Sequence, residues 1–200
     1  MDKKNRNKNI KRNYTYKDII LSGNNLVKKP FSHVNIDLSG IAKGYAVDLV
    51  YNYLLSKNIS NFVINVGGEI KTYSRYEDAI AIAIDDPTNN QQYIEEVLLN
   101  NNSIATSGTY IDTINFEGLE ISHITNPKTL QNVSNLNILV SVIHKECAIA
   151  DGLATGLIAM NPKKIINFSN SNGIASMLTV MKNGKLEKSY STEFSKYLSD

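Results

Sequence analysis

Residues 41–54 place Ile41, Ala42, Tyr45, Ala46, Leu49, Val50, Tyr53 and Leu54 at the i, i+3, i+4 spacing of one helix face. The pattern opens directly behind Asp37-Leu38-Ser39-Gly40, and His33-Val34-Asn35-Ile36 before it alternates as a half-buried strand does. The chain is therefore expected to turn from strand to helix through a carboxylate, two small residues and Lys43, the helix running to about Lys57 with Asn58 as its C-cap. A helix start leaves backbone N–H groups unpaired and carries partial positive charge, so this corner suits an anion, phosphate above all. An ordinary capped strand–helix turn uses the same residues, and spacing alone leaves both readings open.

Short strand-length runs dominate the remainder. Tyr16 to Val27 reads as short strands around Ser22-Gly23-Asn24-Asn25. Asn61-Phe62-Val63-Ile64-Asn65-Val66 ends in Gly67-Gly68, a pair that permits positive φ, either as a plain hairpin turn or as a turn that also lets a ligand approach the backbone. Ala79 to Ile84 alternates small and large, Asp85-Asp86-Pro87 stops it, residues 88–92 read as a polar loop, and Ile94 to Leu99 is a further strand. Ser103 to Tyr110 reads as a strand entering a hydroxyl-rich bend at Thr106-Ser107-Gly108, which either presents donors to a ligand or makes a simple turn. Ile111 to Ile124 reads as a hairpin over Glu117-Gly118, with His123 near its end before a turn fixed by Pro127. Ile138 to Ile143 is another buried strand. Pro162 opens a helix to about Phe168, and the final hairpin turns at Asn183-Gly184 ahead of a short exposed helix.

The helix from about Cys147 to Met160 carries Asp151 and Thr155 at i and i+4, on one otherwise small and apolar face. A buried carboxylate needs a partner. Two oxygens one turn apart suit a hard cation such as magnesium, and an Asp near a helix N-terminus also suits the helix dipole.

Length and composition bound the setting. Two hundred residues make about one domain. The single Cys147 excludes an internal disulfide. No apolar run approaches the ~20 residues of a membrane span. The first twelve residues carry a net charge of +5 and the rest −3. Such a tip is read as a disordered, solvated tail over 1–14 rather than a nucleic-acid contact, with one domain over 15–200. No apolar segment follows it to make a signal peptide.

Five pieces occur in one order: Asp37 to Asp48, Val63-Ile64-Asn65-Val66-Gly67-Gly68-Glu69, Ala105-Thr106-Ser107-Gly108, Ser122 to Thr129, and Ala150-Asp151-Gly152-Leu153-Ala154-Thr155. Together, over residues 35–160, they resemble the ApbE-like FAD:protein FMN transferases. The resemblance implies an α+β fold, ApbE-like (T-fold-like), with a mixed sheet and packed helices. It implies magnesium as cofactor, FAD as substrate, and transfer of FMN to a threonine of an acceptor protein, a redox or electron-transfer subunit. Some members instead hydrolyse FAD to FMN and AMP, and a non-catalytic flavin-binding remnant is a further alternative. By similarity, Asp37 and Lys43 contact FAD, and Gly67, Gly68, Thr106, Ser107, Gly108 and Ile124 line its pocket. The Gly40 carbonyl, Asp151 and Thr155 ligate the metal, and His123 helps activate the acceptor hydroxyl.

Three positions depart from the family pattern: Asn126 stands where Asp is usual, Leu130 where Gly is usual, and Ser39 in place of a common Gly. Family chains also carry a substantial part ahead of the Asp37 motif, so an N-terminally truncated domain is expected. As written the chain reads as cytoplasmic; as part of a longer exported chain it belongs on the periplasmic face of the inner membrane.

Overall fold

A computed structural model describes residues 14–199, excepting 24, 77, 110–113, 117–118, 122–123, 130–131 and 134–137. The chain divides into two compact units, residues 1–37 and 38–200.

In the first unit, Thr15 caps a 3-10 turn at Tyr16–Asp18, and strands β1 (Ile20–Ser22) and β2 (Leu26–Lys28) form an antiparallel hairpin. Tyr14, Phe31 and His33 make an aromatic cluster in which Phe31 and His33 stack at 5.5 Å. The strand expected at His33–Ile36 does not form. The Val34 N–H donates to the Phe31 carbonyl at 3.2 Å, which turns the chain, and alternation without a partner strand does not make a ladder.

The second unit is built on a six-stranded antiparallel sheet. Its strands are β3 (Phe62–Val66), β4 (Glu69–Tyr73), β7 (Ser103–Gly108), β10 (Ile138–His144), β11 (Ala175–Lys182) and β12 (Lys185–Tyr190), in the spatial order β12-β11-β10-β7-β4-β3. Among the described residues there are two more hairpins: β5 (Ile80–Asp86) with β6 (Asn89–Leu99), and β8 (Ile114–Phe116) with β9 (Leu119–Ile121). The helices are α1 (Ser39–Ser56), α2 (Cys147–Ile158) and α3 (Pro162–Asn172).

Strand alternation sorts the core into two layers. Ala105, Val140, Val142 and Leu178 pack with Ala150, Ala154, Leu157 and Ile158 of α2 and Ile165 of α3. The intervening Ile104, Leu139, Ile143 and Met177 pack with Ile82, Ile84, Val97 and Leu99 of the β5–β6 hairpin. Helices thus cover one face of the sheet and the hairpin covers the other.

Local chemistry sets the turns. Gly67 and Gly68 both have positive φ (61° and 101°) and join β3 to β4 as a two-residue hairpin. Asn183 and Gly184 do the same between β11 and β12. Asn161 caps α3 by accepting from the Lys163 N–H, Pro162 starts it, and Gly173 ends it in the left-handed conformation, so the helix runs four residues past the expected Phe168, to Asn172.

Three further expectations are corrected. Residues 88–92 are not a loop, because the chain reverses at Pro87-Thr88 and β6 starts at Asn89; Asp86 Oδ1 accepts from both the Thr88 N–H (2.7 Å) and hydroxyl (2.6 Å), closing a shorter turn. Thr106-Ser107-Gly108 is the end of β7, paired with Ser141, Val140 and Leu139 of β10, rather than a bend. The C-terminal turn Phe194–Tyr197 is not simply exposed, since Phe194 is fully buried and stacks on Tyr190.

Candidate functional site

Helices α1 and α2 meet where their backbones have no side chain between them. A Cβ on Gly44 would lie 2.4 Å from the Cys147 carbonyl oxygen, so only glycine permits this approach. One turn earlier, a Cβ on Gly40 would lie 2.9 Å from Thr155 Cγ2 and 3.2 Å from its hydroxyl oxygen. The start of α1 is therefore held against the Asp151–Thr155 face of α2. Leu38 at the N-cap makes no side-chain capping bond.

Asp151 is 3% exposed, and its Oδ2 accepts the Gly44 N–H at 3.0 Å. Burial raises its pKa above the usual carboxylate range, against the opposing pull of that N–H and of the Lys43 charge. The Thr155 hydroxyl faces the Ser107 hydroxyl at 3.3 Å, so β7 contributes one more oxygen to the group.

Lys43 forms the second half of the site. Its Nζ pairs with Glu69 Oε1 at 2.8 Å and lies 3.5 Å from the Gly67 carbonyl. Half of the Lys43 side chain remains exposed, whereas Glu69 is 1% exposed. Among the described residues, Glu69 Oε2 has no hydrogen-bond partner. Burial raises the Glu69 pKa, Lys43 opposes the rise, and the Asp151 charge adds to it. Gly67 backs onto the Lys43 stem, whose Cδ would be 3.5 Å from a Cβ there.

The structure therefore brings together Gly40, Lys43, Gly67, Ser107, Asp151 and Thr155, with Gly68 and Gly108 on the adjoining backbone. Thr106 is separated from them: its hydroxyl is 2.8 Å from the Ser141 hydroxyl, and strand alternation turns it away from Ser107 to the opposite face of the sheet. Ile124 is buried in the apolar layer with Ala105, Val140 and Ala154. Asp37 is the last residue of the first unit. His123 lies outside the described residues.

The residues present fit the magnesium that the family resemblance implies. Asp151 is a buried carboxylate one helical turn from Thr155, whose hydroxyl faces that of Ser107, and oxygen donors of this kind are what a hard cation takes. No group of three or more His, Cys, Asp or Glu side chains suited to a metal occurs among the described residues.

Three residues beyond the expected site set belong to this region. Glu69 neutralises Lys43, and Asp48 on α1 pairs with Lys71 on β4 at 2.6 Å. Glu69 and Lys71 share one face of β4, which the sequence shows; that both are buried, and so need charged partners, only the structure shows. Asn126 also has a defined role. Its Oδ1 accepts from the Lys128 and Thr129 N–H groups at 2.9 and 3.2 Å, and its Nδ2 donates to the Ala159 carbonyl at 3.1 Å, behind the end of α2. An aspartate makes the first two bonds but has no donor for the third.

Known proteins resemble this chain in sequence and in fold. The model of the ApbE family matches residues 2–178. A FAD:protein FMN transferase of Vibrio cholerae is 34% identical over 184 residues, covering 90% of this chain and 55% of the relative. One from Chlamydia muridarum is 36% identical over 145 residues, covering 70% and 44%. The flavinyl transferase ApbE of Pseudomonas stutzeri, in its apo form, superposes with a TM-score of 0.77 at 27% identity, covering 91% of this chain and 56% of that one. The Vibrio cholerae flavin transferase ApbE gives 0.74 at 32% identity, covering 91% and 58%. The chain spans about half the length of the curated relatives it matches. With a family match across most of its residues and the same fold over nine-tenths of its length, the chain belongs to the ApbE family.

Proposed function

We propose that this chain takes part in magnesium-dependent transfer of FMN from FAD to a threonine hydroxyl of an acceptor protein, a redox or electron-transfer subunit. The observation that carries the reading is the gathering of Asp151, Thr155, Ser107 and the Gly40 backbone beside Lys43 at the start of α1. The names of the relatives, FAD:protein FMN transferases, point to the same chemistry.

The threonine oxygen attacks the phosphorus of the FMN half, a new P–O bond forms, and the bond from that phosphorus to the bridging oxygen breaks. AMP leaves with the bridging oxygen, and the hydroxyl proton passes to a base, the role that family resemblance gives to His123. Asp151, Thr155 and the Gly40 carbonyl would hold magnesium, which when bound supplies positive charge to the pyrophosphate oxygens. Lys43 offers a mobile point cation to the same phosphates. Glu69 holds that cation over Gly67 until an anion competes for it. Gly67 and Gly68 leave the β3–β4 turn without side chains where the ligand would pass.

The test is incubation with FAD, magnesium and a purified acceptor domain, followed by AMP detection and in-gel flavin fluorescence. A fluorescent acceptor with equimolar AMP, both abolished by Asp151→Ala, is expected. AMP without labelled acceptor makes the chain a FAD pyrophosphatase. Neither product overturns both catalytic readings and leaves a flavin-binding remnant.

A further inference from the structure

Helix α2 begins with an unusual arrangement: its own N-cap residue, Glu146, makes no side-chain capping bond. The cap comes from α1. Asp48 Oδ1 accepts the Cys147 N–H at 3.1 Å and Oδ2 accepts the Ala148 N–H at 2.9 Å, across about a hundred residues of sequence. These are two of the orphan donors at the start of a helix, and a carboxylate there also meets the positive end of the dipole.

Lys71 holds the capping carboxylate in turn. It is 5% exposed, pairs with Asp48 Oδ1 at 2.6 Å, and lies 4.2 Å from the centre of the Tyr51 ring, one turn along α1. The Asp48 carboxylate is therefore fixed from α1, α2 and β4 at once.

Asp151 stands one turn beyond the capped N–H groups and makes the reverse connection, accepting the Gly44 N–H one turn before Asp48. Each helix thus places a carboxylate on the other's backbone, and the Gly44–Cys147 contact lets them come close enough to do so. Without the Asp48 carboxylate, the Cys147 and Ala148 N–H groups and Lys71 lose their shared partner, and the register of α2 on α1 would no longer be held at that point. A slide of one residue is ~1.5 Å along the axis, enough to misplace an oxygen in a cation shell with bonds of ~2.0–2.1 Å.

We propose that Asp48 is a positioning residue: by capping α2 from α1, with Lys71 behind it, it fixes where the Asp151 carboxylate stands. The inference rests on the reading of Asp151 as an oxygen ligand for a divalent cation, and it places Asp48 outside any direct contact with cation or substrate.

The decisive experiment compares wild type with Asp48→Asn, which keeps the shape and loses the charge, in the absence of FAD and acceptor. Binding of Mn²⁺ alone is followed by electron paramagnetic resonance, and exchange of the Gly44 amide by NMR. Ile165→Val, on α3 in the apolar layer it shares with α2, serves as a control for general destabilisation. Asp48→Asn is expected to weaken Mn²⁺ binding at least tenfold and to speed Gly44 exchange at least tenfold, while the control changes neither by more than twofold. If Asp48→Asn does not fold, Asp48→Glu carries the same comparison. Wild-type values for both readouts in a variant with a lowered melting temperature would overturn the proposal, leaving Asp48 a structural cap only. If wild type itself binds no Mn²⁺, the reading of Asp151 fails, and Gly44 exchange alone then decides whether Asp48 positions that carboxylate.

Discussion

Replacing Gly44 by alanine tests the helix contact on which the site depends. In an exposed helix interior this change is favourable by about 1 kcal/mol. Here the new Cβ would meet Cys147 O at 2.4 Å, Cys147 C at 2.6 Å and Ala148 Cα at 2.8 Å. All three are backbone atoms, so no rotamer change relieves the clash, and the helices must separate. Overpacking of this kind costs typically 1–3 kcal/mol. Taking the upper end and subtracting the propensity gain leaves about 2 kcal/mol of destabilisation, and the displaced Gly44 N–H loses its bond to Asp151 as well. For a chain of this size that lowers Tm by roughly 4–8 °C. Gly156→Ala is the internal control: it lies in α2 with nothing within 4 Å of a Cβ, so it should gain up to about 1 kcal/mol. Gly152→Ala falls between, since its Cβ would meet only the side-chain tip Ile41 Cγ2 at 3.0 Å. Denaturant and thermal melts of the three variants give the ranking directly. A Gly44→Ala protein as stable as wild type would refute the backbone contact and the close approach of α1 to α2.

Asp151→Asn should leave the metal-free protein as stable as wild type or more so at pH 7, while abolishing divalent-cation binding. A carboxylate whose folded-state pKa is raised binds protons more readily when folded, so stability rises as pH falls through that value toward the ordinary one; melts from pH 8 to 4 should show this slope in wild type and less of it in Asp151→Asn. Cys147 is fully buried, and burial followed by the Asp48 and Glu69 charges pushes its pKa up to about 12, so Ellman's reagent at pH 8 should label it only after unfolding. Asn126→Asp should cost about 1 kcal/mol in denaturant melts, because the donor to the Ala159 carbonyl is replaced by an acceptor.

Sequence features whose causes are local were legible. Gly67-Gly68 and Asn183-Gly184 mark hairpins because positive φ at both turn positions is a property of those residues themselves. The Asp151–Thr155 face follows from helix periodicity alone; Gly40 and Ser107 were expected only through the family resemblance, and the structure brings both against Thr155 from other elements. What the sequence did not reveal depends on partners. His33–Ile36 has strand alternation but no neighbouring strand, and a turn forms instead. Thr106 and Ser107 are adjacent in the same motif, yet the pleat sends them to opposite faces, Thr106 to Ser141 and Ser107 to Thr155. Asp48 lies inside the same motif as Lys43, but its importance rests on two N–H groups about a hundred residues away, and no local pattern shows a cap supplied from another helix.

The backbone contact at Gly44 and Cys147 also bears on which ions such a site accepts. Helices separated by side chains adjust their spacing when rotamers change. Helices in direct main-chain contact have no compliant layer between them, so α1 and α2 behave as a fixed jaw around the oxygens of Asp151, Thr155 and the Gly40 backbone. A fixed jaw discriminates by radius. On the proposed reading, a cation held by Asp151, Thr155 and the Gly40 carbonyl would meet a fixed spacing between the helices, which would favour magnesium, with bonds of ~2.0–2.1 Å, over calcium at ~2.3–2.6 Å.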